Sequence, residues 1–322
     1  MDDKIDISVV VPVYNEAPNL NALYQRIVAT LDKLNRSFEI IAVDDGSTDG
    51  SLDFLRALQQ RDPRLRVVRL ARNFGQTPAL YAGFAHVRGR MVVQLDADLQ
   101  NPPEEMVKLI EKLEEGYDVV QGWREDRRDT LARRLPSRML NRAISLLMGA
   151  KIRDLGCGLK AFRRDVVERM SGFTHHARYL PAEMLWLGVR MAEVKVEHRE
   201  RAGGESKYGL FSLLRLNFDI ISSISTAPIK IIGLVGGLLS LVGFFMGILI
   251  FVRRIIDVNY DPLAGSIASV TALFFILAGV QMIATGIMCE YIGRIFVEVQ
   301  NKPYYIVKEV IEESPTSSGN LP

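Results

Sequence analysis

The chain has 322 residues, more than one compact domain usually holds, so more than one structural unit is expected. Its 40 Lys and Arg against 38 Asp and Glu leave a net charge of +2, which gives no global field for nucleic acid. Mean hydropathy is +0.10, and the apolar excess is concentrated late in the chain.

Residues 7–13 form a continuous Val-rich run, the mark of a strand buried on both faces and therefore parallel to its neighbours. An acidic start precedes it rather than the basic start of a signal peptide, so the N-terminal part is expected to stay where it is made. Residues 19–34 show helical spacing, with Leu20, Leu23, Ile27, Val28 and Leu31 on one side. Residues 38–43 read as a second buried strand, which runs into Asp44, Asp45, Gly46 and Ser47; Asp49 or Ser51 is placed to cap the helix after it. A third strand is expected over 66–70, a helix over 75–87, a strand over 91–95, a helix over 102–115 and a strand over 118–121. This alternation predicts an α/β fold with a doubly wound, parallel sheet. Ligands on such sheets bind beyond the carboxyl ends of the strands.

Polar clusters fall at those ends. Pro12, Tyr14, Asn15 and Glu16 follow the first strand, and Asp44 to Ser47 the second. Arg72, Asn73, Phe74, Gly75 and Gln76 follow the third, Asp96, Asp98 and Gln100 the fourth, Trp123 and Arg124 the fifth. Asp96 and Asp98 are spaced i, i+2, so along extended chain they aim the same way. Two converging carboxylates suit a hard divalent cation, Mg²⁺ or Mn²⁺, that keeps positions open for phosphate oxygens. The other reading of the same residues is a solvated turn in which Asp98 or Asn101 caps the helix after Pro102. No Gly-x-Gly-x-x-Gly follows the first strand and no P-loop is present, which argues against a dinucleotide oxidoreductase and a P-loop nucleotidase.

From Arg124 to Arg142 the chain is basic, and Arg134, Arg138 and Arg142 share one helical stripe. That stripe is either a solvated face or a surface that meets phosphates. The segment 153–164 follows, with Asp154 as a candidate acid, base or binding carboxylate. A strand is expected over 194–196, then a polar loop with Arg199, Arg201, Ser206 and Lys207. Cys157 and Cys289 are too isolated for a disulfide framework, and His86, His175, His176 and His198 lack metal-ligand spacing.

Residues 231–252 and 266–289 carry no charge over 22 and 24 positions. Each is long enough to cross a bilayer, and together they predict a hairpin with both chain ends on one side, the cytoplasm. Residues 209–230 are expected to lie in the interface, and 290–322 to hold a second juxtamembrane helix and a disordered tail.

Four motifs in this order resemble glycosyltransferase family 2: Val11 to Glu16, Val43 to Asp49, Arg72 to Gln76 and Leu95 to Glu104. The Arg-Asn-Phe-Gly and Asp-Ala-Asp-Leu-Gln elements, Gly204 to Tyr208 and the late spans look specifically like the polyprenyl-phosphate glycosyltransferases. The resemblance implies a GT-A-type fold over residues 1–208, inversion at the sugar carbon, a divalent metal, a nucleotide-sugar donor, a polyprenyl-phosphate acceptor and a homo-oligomer, a tetramer in relatives. It also implies a multi-pass protein of the bacterial inner membrane with its catalytic domain in the cytoplasm. By position, Pro12, Tyr14, Glu16, Asp44, Asp45, Asp96 and Arg72 would bind the nucleotide, and Asp96, Asp98 and Gln100 would serve the metal. Asp98, Asp154 and Arg124 are the catalytic candidates, and Arg134, Arg138, Arg199, Arg201, Ser206 and Lys207 the acceptor and phosphate candidates. Leu155 stands where the arabinose-type branch usually has Tyr, so the resemblance leaves the sugar open. UDP is favoured over GDP by bacterial analogy. A processive polysaccharide synthase would carry Gln-x-x-Arg-Trp, which is absent, and the paired carboxylates argue against a non-catalytic scaffold.

Overall fold

The computed structural model describes residues 5–124, 154, 156–171, 180, 183–184, 187–197, 227–256, 266–300 and 302–312. The chain divides into two units, one of Met1–Tyr208 with Pro303–Pro322, the other of Gly209–Lys302.

The first unit is built on an eight-stranded sheet. Its strands are β1 (Ile7–Val13), β2 (Phe38–Asp44), β3 (Leu65–Leu70), β4 (Met91–Gln94), β5 (Val119–Arg124), β6 (Lys160–Arg163), β7 (Met191–Val196) and β8 (Val307–Ile311). Their spatial order is β7-β5-β6-β4-β1-β2-β3-β8. Strands β1 to β4 are buried along nearly their whole length, which is why they read as unbroken apolar runs.

Helices cover both faces. On one lie α1 (Ala17–Lys33), α2 (Ser51–Gln59) and α4 (Met106–Glu114), packed on Val9, Val11, Ile40 and Val93. α1 presents Leu20, Leu23, Ile27 and Leu31, the i, i+3, i+4 stripe of its sequence, each adding about 1.5–3 kcal/mol on burial. The other face carries α3 (Gln76–Phe84) and α5 (Arg164–Ser171), packed on Val10, Ile41, Val43, Val92 and Phe162. α3 is buried from Pro78 to Phe84, so it has no polar side to mark its orientation in the sequence.

The expected all-parallel sheet is corrected to a mixed one. β1 pairs in parallel with β2 and β4, β2 with β3, and β5 with β7. β6 is inserted between β4 and β5 and runs antiparallel to both, and β8 runs antiparallel along β3. An apolar run reports burial on two faces and not direction. The helix expected to begin at Pro102 starts as a 3₁₀ turn at Pro103–Glu105, and neither Asp98 nor Asn101 caps it.

The second unit contains α6 (Ala227–Ile256) and α7 (Ser266–Val299). α7 is continuous to Val299, so residues 291–299 are the end of that helix and not a separate juxtamembrane one. By length and composition Ile276–Val299 could cross a membrane; Gly233–Phe245 is a shorter apolar stretch. Beyond α7 the reading of 290–322 as helix and tail omits a strand: Val307–Ile311 is β8. Residues 209–226 and 313–322 lie outside the described residues.

Candidate active site

The carboxyl ends of β1, β2, β3 and β4 open on one pocket of about 280 Å³. Among its walls are Pro12, Tyr14, Glu16, Asp45, Asp96 and Asp98, all expected from the sequence, so residues up to 86 positions apart meet here.

The loops that hold these groups are fastened to one another. After β1, Asn15 takes a φ of 56°, its N–H donates to Ser47 Oγ at 3.1 Å, and its Oδ1 accepts the Thr48 N–H at 2.8 Å. Glu16 accepts a hydrogen bond from Asn19 Nδ2 at 2.6 Å. After β2, the chain turns at Gly46 with φ 72°; a Cβ there would lie 2.7 Å from the Arg72 carbonyl carbon and the Asn73 nitrogen. Only glycine lets the two loops pass this closely.

Asp44 and Asp45 have different roles. Asp44 is 1% exposed, its Oδ1 accepts the Ser47 N–H at 3.2 Å, and its buried Oδ2 has no hydrogen-bond partner among the described residues. Asp45 accepts the N–H groups of Phe74 and Gly75 at 2.7 and 2.8 Å, pinning the loop that leads into α3. Burial pushes its carboxyl up, against the pull of those two amides.

That pinned loop delivers Gln76, whose Nε2 donates to Asp96 Oδ1 at 2.7 Å. On its other side Asp96 faces Gly158: a Cβ on that residue would lie 1.7 Å from Asp96 Oδ2. Burial, and then the charge of Asp98, push the Asp96 carboxyl up to about 6, while Lys160, Gln76 and Arg124 pull the other way. Asp98 Oδ1 accepts the Gln100 N–H at 3.1 Å. Between them Leu99 adopts a φ of 59°, an uncommon conformation for a branched residue and the kind of local strain that gathers at functional sites.

Some expected residues stand elsewhere. The guanidinium of Arg72 stacks on the Phe74 ring, 4.2 Å from its centroid, and does not line the pocket; nor do Asp44 and Gln100. Asp154 is 3% exposed and receives Arg124 in a two-point fork, Nε at 2.6 Å and Nη2 at 3.0 Å, with the Gly156 N–H at 3.2 Å. Arg134, Arg138, Arg199, Arg201, Ser206 and Lys207 lie outside the described residues. Asn73, Gly75 and Gln76 line the pocket without having been assigned a role from sequence, although they stand in the polar cluster after β3. Lys160 was missed altogether.

The donor set suits a hard cation. Asp96 and Asp98 offer oxygens to one pocket, and their mutual repulsion is what a divalent ion relieves. Among the described residues no group of three or more His, Cys, Asp or Glu could hold a metal ion. An ion held by these two carboxylates would have positions open for water or a substrate's phosphates, the usual arrangement for Mg²⁺.

The family model for glycosyl transferase family 2 matches residues 8–171. The chain belongs to glycosyl transferase family 2. The match takes in β1 to β6 and every pocket residue, and family members are enzymes, so this chain is a glycosyltransferase. An undecaprenyl-phosphate 4-deoxy-4-formamido-L-arabinose transferase of Aeromonas hydrophila is 38% identical over 97% of this chain and 96% of its own length. Mannosyl-3-phosphoglycerate synthase of Rubrobacter xylanophilus shares the fold at 18% identity, with a TM-score of 0.53 over 68% of this chain and 72% of that one. Glucosyl-3-phosphoglycerate synthase of Mycobacterium tuberculosis, in complex with Mn²⁺, UDP and phosphoglyceric acid, is 25% identical; its TM-score is 0.50 over 69% of this chain and 79% of that one.

Proposed function

We propose that this family 2 transferase moves a sugar from a UDP-sugar to undecaprenyl or another polyprenyl phosphate, with inversion at the sugar carbon. The observation that carries the reading is the near full-length similarity to an undecaprenyl-phosphate transferase, which extends through the apolar helices that lie beyond the family 2 match. The pocket supports the donor. Pro12, Tyr14 and Glu16 form its β1 wall and Asp45 its β2 wall, with Asp96 and Asp98 at the β4 end. The Mn²⁺ and UDP complex of the mycobacterial synthase supports the choice of nucleotide and metal. Mg²⁺ or Mn²⁺ bound at Asp96 and Asp98 supplies charge neutralisation for the leaving diphosphate.

The chain's own part is positional. A lipid monophosphate oxygen is already anionic near neutral pH, so it needs alignment with the anomeric carbon more than deprotonation. The fixed loops after β1, β2 and β3 hold the donor, and Gln76 holds Asp96 while charge develops on the leaving group. Arg124 and Asp154 fasten the carboxyl end of β5; Arg134, Arg138, Arg199, Arg201, Ser206 and Lys207 are assigned to the acceptor phosphate.

The membrane arrangement we propose is a two-helix hairpin of α6 and α7 in the bacterial inner membrane, with the catalytic unit on the cytoplasmic side. β8 supports this. The segments on either side of the helical unit, up to Tyr208 and from Pro303, both belong to the first unit, which fits a hairpin that returns to the side it left.

The test is nucleotide release by the full chain in detergent with Mn²⁺, across UDP- and GDP-sugars including UDP-4-deoxy-4-formamido-L-arabinose, with and without undecaprenyl phosphate. Lipid-dependent release of UDP from one donor is the expected result and names the sugar. Binding of UDP without any lipid-dependent release across the panel would overturn the acceptor.

A further inference from the structure

The strand that divides β4 from β5 begins with a buried lysine. Lys160 is 4% exposed, and the register sets it directly opposite Gln94 on β4 and Gln121 on β5. Directly opposed residues share a face, so three polar side chains form one row, on the face covered by α3 and α5. The row is buried, with Gln94 at 3% and Gln121 at 0% exposure, and among the described residues Oε1 of neither glutamine has a hydrogen-bond partner.

A methionine or leucine would fill the place of Lys160 without the cost of burying an ammonium group. A buried ammonium is tolerated only where anions compensate it. Burial pushes the Lys160 ammonium down; against this its Nζ donates to the Cys157 carbonyl, and the carboxylates whose charge favours it are Asp96 and Asp154. Asp154 is already engaged by the fork of Arg124. Asp96 is the carboxylate left to Lys160. Among the described residues, the charges acting on Asp96 are the carboxylate of Asp98 and the cations Lys160 and Arg124. The backbone two residues before Lys160 also shapes Asp96, because Gly158 leaves no room for a Cβ against Oδ2.

We propose that Gly158 and Lys160 are positioning residues for Asp96: Gly158 forms the seat of its carboxylate, and Lys160 supplies the buried positive charge that keeps it there for the metal and diphosphate. The inference rests on the reading of this pocket as a metal–nucleotide site. Neither residue is among those lining the pocket, so both act through Asp96.

The experiment is calorimetric titration of UDP into the full chain in detergent over a series of Mn²⁺ concentrations and in EDTA. In Lys160→Met the Mn²⁺ needed for half-maximal UDP binding rises about tenfold or more, the scale seen when a metal ligand loses its supporting partner, with UDP affinity in EDTA within about twofold of the parent. Gly158→Ala, which displaces Asp96 without touching any charge, gives the same rise. Lys160→Arg keeps the charge and recovers most of the Mn²⁺ response. An unchanged Mn²⁺ requirement in folded Lys160→Met, or equal weakening with and without Mn²⁺, overturns the proposal. Should Lys160→Met fail to fold, Gly158→Ala decides by the same two criteria. Absence of any Mn²⁺ effect in the parent protein strikes at the reading of the pocket and not at this inference.

Discussion

Replacing Asp96 by Asn should destroy transfer and yet stabilise the metal-free protein. Burial and the neighbouring Asp98 raise the Asp96 carboxyl from 3.8 to about 6, so the ionised form is held in the fold against its preference. A shift of about 2 units at ~1.4 kcal/mol each is worth about 3 kcal/mol. The sign follows from proton linkage. With the folded value above the unfolded one, the group's contribution to stability is fully present below about pH 4 and is lost as the pH rises through about 6. Above that range the wild-type site is strained, whereas Asn is uncharged at every pH. Its Oδ1 still accepts from Gln76, so the contact with α3 is kept. The assay is thermal melting in detergent with EDTA. At pH 8 the variant is expected to melt about 6–12 °C above wild type, from about 2–4 °C per kcal/mol for a domain of this size. At pH 5 the gain falls to about half, because part of the wild-type population is protonated. Adding Mn²⁺ with UDP reverses the order, since only wild type binds them well. A variant that melts at or below wild type at pH 8, or gains equally at pH 5, refutes the reasoning.

Other outcomes are expected from the same structure. Asp98→Asn should abolish lipid-dependent nucleotide release while the protein still fractionates with membranes; full turnover would remove Asp98 from the metal site. Asp154→Asn replaces the carboxylate that receives the Arg124 fork by a neutral amide, so the melting temperature should fall along with activity. A loss of activity with unchanged melting would give Asp154 a direct role in the chemistry. Removing residues 303–322 takes β8 from the edge of β3 and its partners Glu309 and Glu312 from Arg56, Arg69, Arg66 and Arg88, and should lower the melting temperature by about 5–10 °C.

The part of the fold that could be read from sequence is the part where local pattern and burial coincide. Ile7–Val13 and Phe38–Asp44 are apolar along their length because helices cover both faces, and the polar residues after them had to lie at one edge. β6 and β8 carried no such signal. Lys160–Arg163 is four residues long with a charge at each end, and Val307–Ile311 alternates half-buried with exposed positions, as an edge strand does. The Asp-x-Asp motif was legible because spacing alone aims both carboxylates one way. The division of labour between Asp44 and Asp45 was not, because it depends on where the amides of Phe74 and Gly75 lie. Lys160 stayed hidden for a similar reason: a lysine in a sequence looks solvated until cross-strand register places it between Gln94 and Gln121.

The last strand has a consequence for how the protein is made. β3 exposes an unpaired edge until residues 307–311 are available, and those residues are translated after both long helices. The catalytic sheet is therefore finished only once synthesis has passed through α6 and α7. A nascent chain stalled within those helices presents an open strand edge, the kind of surface that invites pairing with another chain and draws chaperones and proteases. Quality control of the helical segment is in this way written into the catalytic domain, whose sheet is complete only in chains that have been read to their final strand.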